Sequence, residues 1–168
     1  MAMQEDRPMP KPLVRLMAVL AILGLFASLG AGSATAASPN ATEVYRITLT
    51  GDQEATATCA PPDLCGDEDA SGAMILTVNP NTDTVCFLTR WADIDGTVTA
   101  AHIHNGVAGV PAGVVVPLFS GTFGSSDQLR GCVDGMGWTD DINLNPAGFY
   151  VNIHSTTFPA GAIRGQLG

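Results

Sequence analysis

Beyond residue 43 this chain carries no helical apolar period. Clusters of Gly, Pro, Asn and Asp cut it into short runs in which apolar and polar residues alternate. A period of two throws successive side chains to opposite faces, the pattern of half-buried β-strands. The runs are Val44–Thr50, Ala73–Val78, Thr84–Trp91, Val98–His104, Val114–Phe119, a shorter one at Arg130–Val133, Phe149–Ser155, and Ala160–Leu167. Gly51–Gly72, Asn79–Asp83, Asp93–Gly96 and Asn105–Gly113 supply the turns and loops, and Gly121–Pro146 is the least periodic region, with a loop or helical turn before Gly148. About seven to eight short strands in one stretch of domain length predict a single all-β sandwich or barrel.

Two of these runs hold every histidine in the sequence. His102 and His104 share one face of the Val98–His104 strand, opposite Ala101 and Ile103. Tyr150, Asn152 and His154 share a face opposite Phe149, Val151 and Ile153, and Arg164 and Gln166 lie opposite Ile163 and Leu167. The link from Thr156 to Gly161 is short enough to make the last two strands an antiparallel hairpin. Pairing their polar faces places Arg164 near Asn152 and His154. With the His102/His104 strand beside this hairpin, three imidazoles, Asn152, Arg164 and Gln166 form one polar cluster.

The N-terminus reads as an address. Arg7, Lys11 and Arg15 precede an apolar run from Leu16 to about Leu29, and small residues end in Ala34-Thr35-Ala36. A basic head, a short apolar core and an Ala-x-Ala site make residues 1–36 a signal peptide, with 37–43 a short linker. Cleavage leaves Arg46, Arg90, Arg130 and Arg164 as the only basic side chains besides histidine, in a chain whose net charge is already −9. Such a surface repels phosphate backbones and anionic lipid, so neither nucleic-acid binding nor membrane association after cleavage is expected. A secreted, extracellular or cell-envelope location follows.

All four cysteines lie in the exported part. An even count in an oxidising compartment predicts two disulfides, with three connectivities open. Cys59 and Cys65 bracket one loop, so a local Cys59–Cys65 staple is the simplest choice and leaves Cys86–Cys132. The Cys-x-x-Cys spacing of zinc sites is missing.

Leu49-Thr50-Gly51-Asp52-Gln53-Glu54, Ala101-His102-Ile103-His104-Asn105-Gly106, Phe149-Tyr150-Val151-Asn152-Ile153-His154 and Gly161-Ala162-Ile163-Arg164-Gly165-Gln166-Leu167 stand in the order in which the CHRD domain carries similar motifs. The stretch 44–168 thus resembles that domain, named for chordin, a secreted antagonist of bone morphogenetic proteins, and found also in exported microbial proteins. The resemblance implies an immunoglobulin-like, Greek-key β-barrel, an extracellular location, and for microbial secreted members little about activity. The Cys59–Cys65 loop departs from the family's usual course, and a single copy without cysteine-rich modules gives growth-factor antagonism no support.

Three chemical readings follow. A non-enzymatic binding module would act through protein or glycan contacts and need no cofactor. A metal-binding protein would hold copper or zinc with His102, His104 and His154, since imidazoles two apart on a strand can turn toward one ion and a third can complete the set. The His-x-His pair resembles copper/zinc superoxide dismutase, but three histidines cannot furnish two metals, so a metal-dependent redox enzyme ranks last. Against the metal reading stands a structural one, with the imidazoles and Asn152 cross-linking strands and Arg164 paired with Asp93 or Asp95. The acidic loop Asp63–Asp69 is a solvated surface or a calcium ligand set, without EF-hand spacing. Trp91, Trp138, Tyr150 and Phe158 belong to a core or a binding surface.

Overall fold

The structure is a computed structural model describing residues 40–59, 65–124 and 126–168. The signal peptide expected over residues 1–36 lies outside them. Strands β1 (Glu43–Thr50), β2 (Ser71–Asn79) and β3 (Thr84–Ala92) form an antiparallel meander. Their alternation is kept: Ile47 and Leu49, then Met74, Leu76 and Val78, then Val85, Phe87 and Trp91 all enter one core. Each such side chain contributes about 1.5–3 kcal/mol by leaving water. The β2–β3 turn is built locally. Asn79 accepts the Asn81 N–H through its side chain at 3.0 Å, and Asp83 adopts φ 45°, a left-handed conformation that aspartate tolerates.

Strands β4 (Val98–Asn105), β5 (Val114–Ser120) and β6 (Gln128–Asp134) follow. The helical turn expected before Gly148 is α1 (Thr139–Leu144) and a 3-10 turn at Pro146–Gly148. A six-residue helix is too short to persist alone. Here the Asp83 carboxylate accepts from Gly137 N–H at 2.8 Å and from the Thr139 hydroxyl at 2.9 Å, while Ile142 is buried in the core. Strands β7 (Phe149–Ser155) and β8 (Ile163–Gln166) end the chain as the expected hairpin.

All eight strands form one antiparallel sheet in the order β5-β4-β7-β8-β1-β2-β3-β6. The end strands β5 and β6 approach each other and nearly close it into a barrel. The chain leaves the β1–β2–β3 meander for the far side of the sheet and returns through β6, the strand-skipping of a Greek key. Both expected disulfides are present: Cys59–Cys65 staples a loop, and Cys86–Cys132 joins directly opposed residues of β3 and β6. Trp91 is part of the core, and Trp138 packs edge-on against Phe149 with ring centroids 6.1 Å apart.

Candidate functional site

Strand β7 lies between β4 and β8, so the register decides which polar residues meet. Asn152 pairs with His102 on one side and with Arg164 on the other, and Tyr150 pairs with His104 and Gln166. The polar cluster read from the alternation is therefore one continuous wall. What alternation did not indicate is that this wall is covered. Asn152 and Arg164 are each 1 % exposed and His104 6 %. Their cover comes from distant segments, the loop 106–113 and the stretch that carries Glu54.

The loop is held by side chains of the wall. Arg164 donates to the carbonyls of Val107 at 2.8 Å and Val110 at 3.1 Å, and Gln166 donates to that of Gly106 at 2.8 Å. Ala112 is fixed twice: its N–H donates to the Tyr150 hydroxyl at 3.1 Å, and its carbonyl accepts from His104 Nδ1 at 2.9 Å. The Arg164 guanidinium lies 3.3 Å from the centre of the Tyr150 ring, while His104 stacks on that ring with centroids 4.6 Å apart and planes 1° from parallel. Because β4 and β8 flank β7, the phenol ring is sandwiched between imidazole and guanidinium. The expected pairing of Arg164 with Asp93 or Asp95 does not occur. Its side chain runs toward Tyr150 and the loop carbonyls, and no salt bridge to either aspartate exists among the described residues. Asp95 instead donates its backbone N–H to the buried Asp67 carboxylate at 2.7 Å, which gives that residue of the acidic loop a structural partner. Asp63 lies outside the described residues.

The three imidazoles converge. His102 Nδ1 is 3.1 Å from His154 Nε2, and one ring nitrogen from each of His102, His104 and His154 lies within 4.8 Å of the others. His154 donates from Nδ1 to the Pro159 carbonyl at 3.1 Å, as His104 does to Ala112. A ring whose Nδ1–H is spent on a carbonyl presents Nε2 as a lone pair when neutral. Burial keeps these rings neutral. It lowers all three pKa values, that of His102 to about 4; neighbouring imidazoles act in the same direction at His102 and His154, and the Arg164 charge does so at His104.

Behind Asn152 stands a residue to which the sequence assigned no role. Glu54 follows the 3-10 turn after β1 and is 1 % exposed. Its Oε1 accepts the Ala55 N–H at 3.1 Å, whereas Oε2 has no hydrogen-bond partner among the described residues. Burial pushes its pKa up to about 7, against the opposing pull of the Ala55 N–H, Arg164 and Asn152. A Cβ at Gly161, where φ is +139°, would overlap Glu54 Oε2 and come within 3.0 Å of Asn152 Nδ2, so glycine there makes room for the carboxyl beside the amide. Only the Leu49–Glu54 motif hinted at this residue; nothing in its local pattern signals burial.

A disulfide-stapled antiparallel barrel with a buried polar wall and a fixed loop over it defines the class of protein. The family model of the CHRD domain matches residues 45–167, and the chain belongs to that family. No curated protein and no solved structure matches it. The two disulfides and the family fit an extracellular protein, and among the described residues no helix is long and apolar enough to cross a membrane.

Proposed function

We propose that this chain is an exported, non-enzymatic CHRD binding module of the cell envelope or extracellular space, acting through protein or glycan contacts. The observation that carries the reading is the clamped loop. Arg164, Gln166, Tyr150 and His104, the side chains with most chemistry to offer, hold the backbone of residues 106–113, and the loop presents Val107 and Val110 to solvent. A recognition element held in advance loses little entropy when it binds. The test is secretion of the full chain from its own N-terminus, followed by binding of the untagged product to envelope glycan and extracellular protein fractions. The expected product starts near Ala37, contains no free thiol, and loses binding in the Val107→Asp/Val110→Asp variant. Retention inside the cell with reduced cysteines is the result that sinks it.

A second reading, copper or zinc binding by His102, His104 and His154, is favoured by one specific observation. Carbonyls hold Nδ1 of two of the rings, which turns His154 Nε2 toward His102 Nδ1 at 3.1 Å and His104 Nε2 toward Asn152 Oδ1 at 2.9 Å. Metal-ligating histidines are characteristically oriented in this way through the other ring nitrogen. Metal analysis of untagged protein tests it: stoichiometric metal in the wild type, lost in His102→Ala and in His154→Ala, supports the reading. A wild type that stays metal-free after incubation with zinc or copper overturns it.

A further inference from the structure

With Oδ1 of Asn152 facing the rings, the hydrogen-bonding pattern of the wall does not close. Its Oδ1 is 2.9 Å from His104 Nε2 and 3.0 Å from His154 Nε2. Both rings already donate from Nδ1 to carbonyls, so when neutral they bring lone pairs, not protons, to the amide oxygen. His102 Nδ1 reaches the same group through His154 Nε2 at 3.1 Å and has one proton at most to share. Three ring nitrogens and an amide oxygen thus crowd together with fewer protons than acceptors. With the amide turned this way a cation among them removes the conflict; with the amide turned over, Nδ2–H donates to both Nε2 atoms.

We infer that Asn152 Oδ1 is the fourth donor of a metal site formed with His102 Nδ1, His104 Nε2 and His154 Nε2, and that Glu54 supports it from behind the amide. The inference rests on the metal-binding reading and specifies its donor set. Donors about 2.0–2.1 Å from one ion stand roughly 2.9 Å apart at right angles and 3.3 Å apart in a tetrahedron. Three contacts along this chain of atoms, 2.9, 3.0 and 3.1 Å, fall in or near that interval. The loosest nitrogen pair, at most 4.8 Å apart, has to close by up to about 1.5 Å, which a turn of the half-buried His102 ring supplies. Three imidazoles and a neutral amide oxygen suit Zn(II) or Cu(II) and offer little to Ca(II) or Mg(II).

Glu54 gives the second, independent sign. A carboxyl group 1 % exposed with an unpartnered Oε2 is costly to keep unless it serves something. It lies on the Nδ2 side of Asn152, across the space that Gly161 leaves open. With Oδ1 turned to an ion, Nδ2–H points to this carboxylate. The carboxylate then polarises the amide toward the ion and offsets the ion's positive charge, which the neutral ligand set does not. Partners behind a ligand typically change metal affinity 10–100-fold.

The test is calorimetric titration of Zn(II) into the untagged, disulfide-intact mature protein, with NMR of the Asn152 side-chain amide. In the wild type those amide resonances shift on zinc addition. Asn152→Asp, which keeps shape and adds charge at the donor, binds zinc at least tenfold more tightly, and Glu54→Gln binds about tenfold more weakly. Cu(II) electron paramagnetic resonance changes its parallel hyperfine coupling in Asn152→Asp. If His102→Ala abolishes binding while Asn152→Asp and Glu54→Gln stay within twofold of wild type and the amide signals do not move, the fourth-donor assignment is wrong and the three-histidine site stands. If the wild type itself takes up no zinc or copper, both fall together.

Discussion

His104 donates through Nδ1 to the Ala112 carbonyl at 2.9 Å, tying a ring on the polar wall to the loop that covers it. The same bond fixes which nitrogen of His104 faces Asn152. One contact therefore couples the conformation of residues 106–113 to the arrangement of the imidazoles.

Removing that ring loosens the loop before it unfolds the barrel. His104→Ala leaves the Ala112 carbonyl unpartnered and takes the stack off Tyr150, lowering the free energy of opening the loop by about 2–3 kcal/mol. Hydrogen exchange at Val110 and Ala112 accelerates at least tenfold, while core amides such as those of Leu76 and Val151 follow only the fall in global stability. Uniform acceleration across the sheet would show that His104 acts on the core and not on the loop.

Arg164 is an arginine for geometric reasons. Its planar guanidinium donates to two loop carbonyls and stacks on Tyr150 at the same time, which an ammonium cannot reproduce. Arg164→Met is expected to lower stability by about 3–5 kcal/mol, and Arg164→Lys to recover less than half of that. Urea denaturation reads both. A lysine variant as stable as wild type would mean that charge alone matters there.

The two disulfides differ in the length of chain they close. Cys86–Cys132 spans a sequence separation of 46 and Cys59–Cys65 one of 6. Chain-entropy scaling gives about 4 kcal/mol for the first and about 2 for the second. Replacing Cys86 and Cys132 with alanine should therefore depress the melting temperature about twice as far as the same change at Cys59 and Cys65. Equal depressions would contradict the scaling.

Stability should fall in strong alkali through Tyr45. Its hydroxyl donates to Asn143 Oδ1 at 3.0 Å, linking β1 to α1, and burial, with a smaller contribution from Glu43, raises its pKa to about 12. The unfolded chain loses this proton near 10 and the folded one near 12. The stabilisation is therefore complete below pH 10 and lost as pH rises through 12. Tyr45→Phe costs about 1 kcal/mol at pH 8, and the gap to wild type shrinks between pH 10 and 12. A gap independent of pH would remove Tyr45 from the account.

Much of the barrel was legible because strand alternation is a local signal. Ile47, Leu49, Met74, Leu76, Val151 and Ile153 occupy the core face their spacing assigns. The terminal hairpin followed from a short link, and both disulfides followed from simple pairing logic. Where the polar face led was not legible. Alternation says which side chains share a face and nothing of what lies above it. The partner of Arg164 illustrates this. Asp93 and Asp95 offered the right charge, yet its guanidinium bonds carbonyls 54 and 57 residues away. Backbone acceptors exist at every position, so composition cannot point to them.

By itself, then, the sequence determined the all-β architecture, the even cysteine count that predicts two disulfides, and the shared faces of His102 with His104 and of Asn152 with His154, because each depends on spacing along the chain. The pairing of β4 with β7 that gathers the three imidazoles is tertiary. The tertiary structure also decided that their side of the sheet is buried, that Glu54 stands behind Asn152, and that loop 106–113 is held by side chains from three strands. Those facts arise from which distant segments fill the space over the sheet, and only the closed fold brings those segments together.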